Sequence, residues 1–274
     1  MMEHNLLLDA WKQGKAIGAF NANTYDDMEA IVQAASELNR PVILMASMSC
    51  CRFMGIDTFV AFAKHLEKKY QTKVITHLDH CIDPDLLYQC VDAGFDYVMF
   101  DGSNRSFEEN CEMTAKIVKD CHEKGVFVEG ELGVISGTEG PLKSDTGVFT
   151  DPEQMKEFIA RTGLDTLAVS IGNQHGFYKG EPKLNFELLE TLAKESSIPL
   201  VLHGGTGIPV EDIARAVSMG ICKVNVGTDI RATYLRTVAE YGKNWDGKND
   251  IRGYITCLRN EIKEVAKYYM VSYS

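Results

Sequence analysis

Short apolar runs alternate along the chain with longer stretches whose apolar residues recur at helical spacing. The runs occupy 16–21, 41–47, 73–78, 97–101, 126–131, 166–171, 199–202 and 222–226, eight in all. Most are near-continuously hydrophobic (PVILMAS, YVMF, TLAVSI, IPLVLH), as expected of parallel strands covered on both faces. Between them the spacing predicts helices over 26–38, 58–69, 84–93, 108–124, 152–162, 186–194 and 209–218, and a further one from Asp250 onward. Asp151 before Pro152 reads as an N-cap followed by proline at the first helical position, while Gly94, Gly125 and Gly220 fall where helices should end. Eight strand–helix units of one kind predict an α/β fold: a single (β/α)8 TIM barrel spanning 1–274, with an extra C-terminal helix. The alternative, a doubly wound open sheet, lacks a G-x-G-x-x-G after its first strand.

Of the 274 residues, 45% are hydrophobic and 24% charged, enough to bury a core without staples. Lys and Arg number 28 against 39 Asp and Glu, a net charge of −11. Such a chain repels nucleic acid and anionic membranes, yet one local cationic pocket still accepts a small anion. No apolar run approaches the ~18 residues of a membrane-spanning helix. The opening MMEHNLLLDAWKQG has no basic-then-apolar leader pattern, so a cytoplasmic location is expected. The eight cysteines are scattered without a C-x-x-C pair, and reduced, mostly buried thiols are expected.

A barrel of this kind builds its site at the C-terminal strand ends. There the sequence places Asn21, Ser47, the run His77-Leu78-Asp79-His80, Asp101-Gly102-Ser103, EGELG at 129–133, GNQHG at 172–176, HGGTG at 203–207 and NVGT at 225–228. So many carboxylates and imidazoles in one small volume are unfavourable unless a cation neutralises them. His80, His175 and His203 are the candidate ligands. Singly, each reads as a satisfied polar side chain; together they form the three-imidazole set, with one open position, of a catalytic zinc. His77 alternates along its strand and is expected to point elsewhere. Asp101 and Glu131 fit either a second metal position or hydrogen-bond partners of the histidines. The glycines of HGGTG, ahead of the helix at 209, and the neighbouring NVGT loop read as a backbone phosphate cradle or as plain turns.

The motifs HLDHC, EGELG, GNQHG, HGGTG and NVGTD, in that order, resemble the class II, zinc-dependent ketose-bisphosphate aldolases, the family of fructose- and tagatose-1,6-bisphosphate aldolases. The resemblance runs from AFNANTY to the C-terminal helix. It implies a barrel that reversibly splits a ketose 1,6-bisphosphate into dihydroxyacetone phosphate and an aldehyde such as glyceraldehyde 3-phosphate. It implies His80, His175 and His203 as zinc ligands, Asp79 as the catalytic aspartate, and Asp101 and Glu131 at a secondary metal position. Glu139, in SGTEG, aligns with a mobile-loop glutamate that moves the proton on the triose carbon. It implies dihydroxyacetone phosphate contacts at Gly176, Gly204, Gly205, Thr206, Asn225, Val226, Gly227 and Thr228, and Asn21, Ser47, Lys179 and Arg231 are further candidate substrate-binding residues. A monovalent cation beside the zinc and a homodimer or homotetramer complete the implied picture.

The chemistry agrees. Aldol cleavage develops an enediolate that a Lewis-acidic zinc stabilises. It needs a base for the C4 hydroxyl, the role of Asp79, and a second acid–base that reaches the triose carbon, for which Glu139 arrives on a closing loop. A Schiff-base lysine is disfavoured: Lys73 and Lys223 sit at strand starts, and Lys179 lies on a loop.

Three positions depart from the family pattern. Fructose-type members often carry Asp or Asn at the third position of NVxT and tagatose-type members Ala; here it is Gly227, expected to leave room near C4 and to relax the C4 preference. Thr206 stands for the usual Ser, and the usual DPR is Asp250-Ile251-Arg252. Arg231, and Arg252 from a neighbouring subunit, are candidate anchors for a distal phosphate, and equally readable as solvated side chains. A ketose 1-phosphate aldolase and a noncatalytic sugar-phosphate-binding barrel are the alternatives; intact Asp79 and Glu139 speak against the second. A metal-dependent barrel hydrolase would want an H-x-H after the first strand, which is absent.

Overall fold

Burial on both faces decides the strands, and caps decide the helices between them. The computed structural model describes residues 5–139, 142–248 and 250–273, with the side chains of 139, 142 and 143 outside the description. The elements run α1 (Leu6–Lys12), β1 (Ile17–Asn21), α2 (Tyr25–Glu37), β2 (Val42–Ser47), α3 (Met48–Met54), α4 (Ile56–Tyr70), β3 (Val74–Cys81), α5 (Pro84–Ala93), β4 (Tyr97–Phe100), α6 (Phe107–Glu123) and β5 (Phe127–Leu132). A short hairpin, β6 (Gly137–Glu139) and β7 (Leu142–Ser144), follows. Then come α7 (Pro152–Thr162), β8 (Thr166–Val169), α8 (Phe186–Glu195), β9 (Leu200–Leu202), α9 (Val210–Ser218), β10 (Ile221–Val226), α10 (Thr228–Lys243) and α11 (Ile251–Met270).

Eight parallel strands close into a barrel in the order β1-β10-β9-β8-β5-β4-β3-β2. The expected barrel and its extra C-terminal helix, α11, are both present. The helix starts are built as the sequence suggests: Asp83 before Pro84 and Asp151 before Pro152 each accept two backbone N–H bonds, and Thr24–Asp27 and Ser106–Glu109 form reciprocal capping boxes. Short α1, α3 and the β6–β7 hairpin lie outside the alternating pattern of apolar runs.

Strand alternation sorts side chains into two cores. Even-numbered residues such as Phe20, Leu44, Leu78, Val98, Leu202 and Val226 face the helices. On most strands the odd-numbered residues face inward, joined on β8 by the even-numbered Ala168, and the registers Ile43↔Ile75, Tyr97↔Phe127 and Ala168↔Val201 stack these inward residues in layers. The lower layers are apolar: Ile17, Ile43, Ile75, Tyr97, Met99 and Phe127 form one buried cluster with Leu7 of α1, which plugs the floor. All eight cysteines are free, seven of them buried. Among the described residues no helix is long and apolar enough to cross a membrane.

Leu7 is fully buried in that floor. Leu7→Ala should lower stability by about 2–5 kcal/mol, read from urea unfolding, while kcat stays within about twofold. An unchanged unfolding midpoint would remove α1 from the core.

Candidate active site

Toward the C-terminal strand ends the inward rows turn polar. β3 breaks its own alternation to supply two neighbours to one cavity. His80 sits at φ +46°, a left-handed conformation uncommon for a residue with a side chain, and the β3–β4 register slips between Leu78 and Cys81. Asp79 and His80 therefore both line a narrow cleft together with His175, His203, Asn21 and Asn225. The loops after β8 and β9 meet over it: a side chain on Gly204 (φ +65°) would place its Cβ 2.0 Å from the Gln174 carbonyl oxygen.

The ligating nitrogens of His80, His175 and His203 lie within 4.8 Å of one another. His80 Nδ1 is 2.7 Å from Asp101 Oδ2, and His203 Nε2 is 2.8 Å from Glu129 Oε1. With those outer N–H groups donating to carboxylates, each ring turns a lone pair inward. His80 Nε2 and His203 Nδ1 face each other at 2.7 Å, and His175 Nε2 is buried with no hydrogen-bond partner. Facing lone pairs repel unless a cation or a proton stands between them. The electrostatics say the same. Burial opposes a charge on all three rings; on His80 the carboxylates of Asp79 and Asp101 win and raise its pKa well above normal, while burial and His80 hold His175 well below. Three imidazoles share room for one positive centre, and the donor set fits a zinc.

A second trio, His80, Asp101 and Glu131, also brings its ligand atoms within 4.8 Å. Glu131 Oε2 is buried without a partner, 3.7 Å from His80 Nδ1. Burial and the Asp101 charge raise Glu131 well above the usual carboxylate range, whereas the bond to His80 overcomes burial at Asp101 and lowers it to about 2. Asp79 is held by two amides, Asn21 Nδ2 at 2.9 Å and Asn225 Nδ2 at 3.2 Å, one from each end of the chain. Burial opposes its charge, but His80, His203 and Lys223 together keep it below its ordinary value.

The family model for class-II fructose-bisphosphate aldolases matches residues 2–273. The chain belongs to this family. It is a class II aldolase, a carbon–carbon lyase of a family that requires a metal, in general zinc. The fructose-bisphosphate aldolase of Staphylococcus epidermidis is 40% identical over 265 residues, 96% of this chain and 93% of that one. The probable fructose-bisphosphate aldolase of Bacillus subtilis is 41% identical over 262 residues, 94% and 92% of the two chains. Among solved structures, the YdjI aldolase of Escherichia coli K12 superposes with a TM-score of 0.85 at 31% identity, covering 98% of this chain and 95% of that one. A putative fructose-1,6-biphosphate aldolase from Coccidioides immitis gives a TM-score of 0.89 at 28% identity, with 98% and 94% covered.

The aldolase brings most of the sequence-derived site together. Gly176, Gly204, Thr206, Gly227, Thr228 and Arg231 line the cleft with the histidines. Gly176, Lys179, Thr228 and Arg231 continue into an adjoining cleft of about 750 Å³. Four expectations change. Val226, at an even position, packs into the outer core and turns no side chain to the cleft. Gly205 spends its N–H on the Asn225 carbonyl at 2.8 Å. Ser47 caps α3, accepting from Cys50 N, and does not line the cleft. Gly227 opens no free space of its own: the Asn21 side chain fills the place a side chain at 227 would take. The Glu139 side chain lies outside the described residues. Arg252 pairs with Asp250 on the surface.

Sequence reasoning missed the layer just beneath. His77 points inward, not elsewhere, and Lys223 is not at a wrong, outer end; both are fully buried around Glu129. Glu129 takes Lys223 Nζ at 3.0 Å, His77 Nε2 at 3.2 Å and His203 Nε2 at 2.8 Å. Burial opposes the Glu129 charge, and Lys223 with His77 overturns that, leaving its pKa well below normal. The signal was available: 77, 129 and 223 stand two residues below Asp79, Glu131 and Asn225 on the same inward rows. Ion-paired and enclosed, Lys223 is closed to substrate.

Removing the ammonium strands a buried carboxylate. Lys223→Met should destabilise the aldolase by about 3–5 kcal/mol in urea unfolding, and adding Glu129→Gln should restore most of the loss. Equal stability of Lys223→Met and wild type would contradict this network.

Proposed function

We propose that this aldolase cleaves a ketose 1,6-bisphosphate reversibly into dihydroxyacetone phosphate and glyceraldehyde 3-phosphate, in the cytoplasm, at a zinc held by His80, His175 and His203. The observation that carries the reading is the 2.7 Å approach of His80 Nε2 to His203 Nδ1 beside His175 Nε2, which has no hydrogen-bond partner. When bound, the zinc supplies a Lewis acid for the carbonyl end of the substrate. Asp79 takes the proton from the C4 hydroxyl as the C3–C4 bond breaks, its carboxylate held on the cleft wall by Asn21 and Asn225. Glu139, from the β6–β7 hairpin, returns a proton to the triose carbon. Asp101 acts by fixing the His80 ring through its hydrogen bond. Glu131 remains the candidate for a second cation, and the reading needs no monovalent one.

The triose phosphate belongs at the start of α10. That helix has no side-chain cap: Gly227 precedes it and Thr228 opens it, beside Gly176, Gly204 and Thr206. Arg231, one turn along α10, and Lys179 give the adjoining cleft its cations. They favour a bisphosphate over a ketose 1-phosphate, and the full set of proton-transfer groups favours catalysis over mere sugar-phosphate binding. Leu235 on α10, Trp245 just after it and Ile251 at the start of α11 are exposed, in keeping with a homodimer or homotetramer.

Chelation should abolish triose-phosphate formation and added zinc should restore it. His203→Ala should lose zinc, counted by metal analysis, while its circular dichroism remains that of a folded barrel; normal zinc and turnover in that variant would end the assignment. Asp79→Ala should stop cleavage yet still exchange the triose carbon proton of dihydroxyacetone phosphate with solvent, whereas Glu139→Ala should depress the exchange. Equal loss in both folded variants would refute the division of labour.

With no carboxylate at Gly227, kcat/KM for the fructose and tagatose bisphosphates should differ by less than about tenfold, ~1.4 kcal/mol in the transition state. A larger preference for the fructose epimer would overturn that expectation.

A further inference from the structure

Gly227 has a negative φ, −123° with ψ −46°, which does not demand glycine. Conformation therefore does not explain a glycine here; space does. The three atoms nearest to where its Cβ would stand all belong to one side chain: Asn21 Oδ1 at 2.4 Å, Cγ at 3.2 Å and Cβ at 3.4 Å. In the arrangement that fills this space, Asn21 aims its amide N–H at Asp79 Oδ2, 2.9 Å away. β1 and β10 are paired neighbours in the barrel, with Phe20 opposite Val226, so the contact joins the two ends of the chain.

We propose that Asn21 and Gly227 form one unit that positions Asp79, with glycine at 227 as the condition for the Asn21–Asp79 hydrogen bond. A methyl at 227 does not meet backbone; it meets the far end of a side chain free to swing away. The barrel therefore survives the substitution, and the bond to Asp79 is what is lost. Asn225 still holds the other carboxylate oxygen at 3.2 Å, so Asp79 stays in the cleft but loses one of two fixed directions. Residue 227 then acts on the reaction through Asn21, as a positioning residue, and not by touching C4.

The inference rests on Asp79 as the base of the proposed cleavage. The exchange behaviour of Asp79→Ala tests that base by itself, while coupling between 21 and 227 is measurable whichever group is the base. The experiment is a double-variant cycle on the zinc-loaded enzyme with Asn21→Ala, Gly227→Ala and the two combined. Each single variant should lower kcat for cleavage about tenfold, the scale of one hydrogen bond to a charged group, with KM changed less than about twofold. The double variant should be no slower than the singles, because each removes the same bond. Exchange of the triose proton should continue at the wild-type rate in all three, which a general loosening of the site would not permit. Losses that multiply in the double variant would overturn the proposal. So would a Gly227→Ala enzyme with wild-type kcat, or exchange that falls in step with cleavage. Asn21→Ala introduces no clash, so it tests the bond to Asp79 even if Gly227→Ala folds poorly.

Discussion

Charge in a dry, closed space governs this molecule. Asp79, Asp101, Glu129 and Glu131 are all buried inside one barrel, and among the described residues the only ammonium buried with them is Lys223. Carboxylates in such a medium are tolerable only when paired or bound to a cation. The barrel solves part of this with its own residues, since Lys223 and His77 neutralise and bond Glu129. What it leaves unsolved is the upper layer, where three imidazoles and three carboxylates crowd the strand ends. The donor set of that layer fits a metal of the kind the family requires.

The layers are stacked, and each orients the next. An apolar floor closed by α1 excludes water below. Above it, Lys223 holds Glu129, and Glu129 holds the outer nitrogen of His203. At the rim, Asp101 does for His80 what Glu129 does for His203. Rings anchored from outside hold fixed orientations toward one another, the preorganisation that the proposed metal site needs. The floor, the ion pair and the ligand ring thus form one column.

How much of this was legible in the sequence follows from the same geometry. Parallel strands buried on both faces write themselves as runs such as PVILMAS, and glycine-rich strand ends mark the site, so the barrel and the histidine set were both readable. Period-two alternation also identifies the inward rows, but only once the strand limits are known to the residue. Lys223 looks like the polar start of a run; in the structure the β10–β9 register shifts between Ile221 and Lys223, and Lys223 is turned into the barrel, which alternation counted from the strand start does not foretell. Val226 and Gly205 sat inside recognised motifs, and motif membership does not distinguish a side chain that faces the cleft from one that packs behind it. The contact of Gly227 with Asn21 joins positions 206 residues apart in the chain, and no local pattern encodes it.

Asp79 and His80 show how the fold and the chemistry constrain each other. The proposed base and the proposed metal ligand must reach the same substrate, and in this chain they are consecutive residues. A regular strand sends consecutive side chains to opposite faces. β3 escapes by placing His80 at φ +46° where its pairing with β4 slips. Such a conformation costs of order 1–3 kcal/mol and persists only where the surroundings over-determine it. Here they do: Asp101 fixes His80 from one side, Asn21 and Asn225 fix Asp79 from the other, and the barrel's closure fixes all of them. The strain therefore sits at the one point where releasing it would return either the base or the ligand to the wrong side of the sheet.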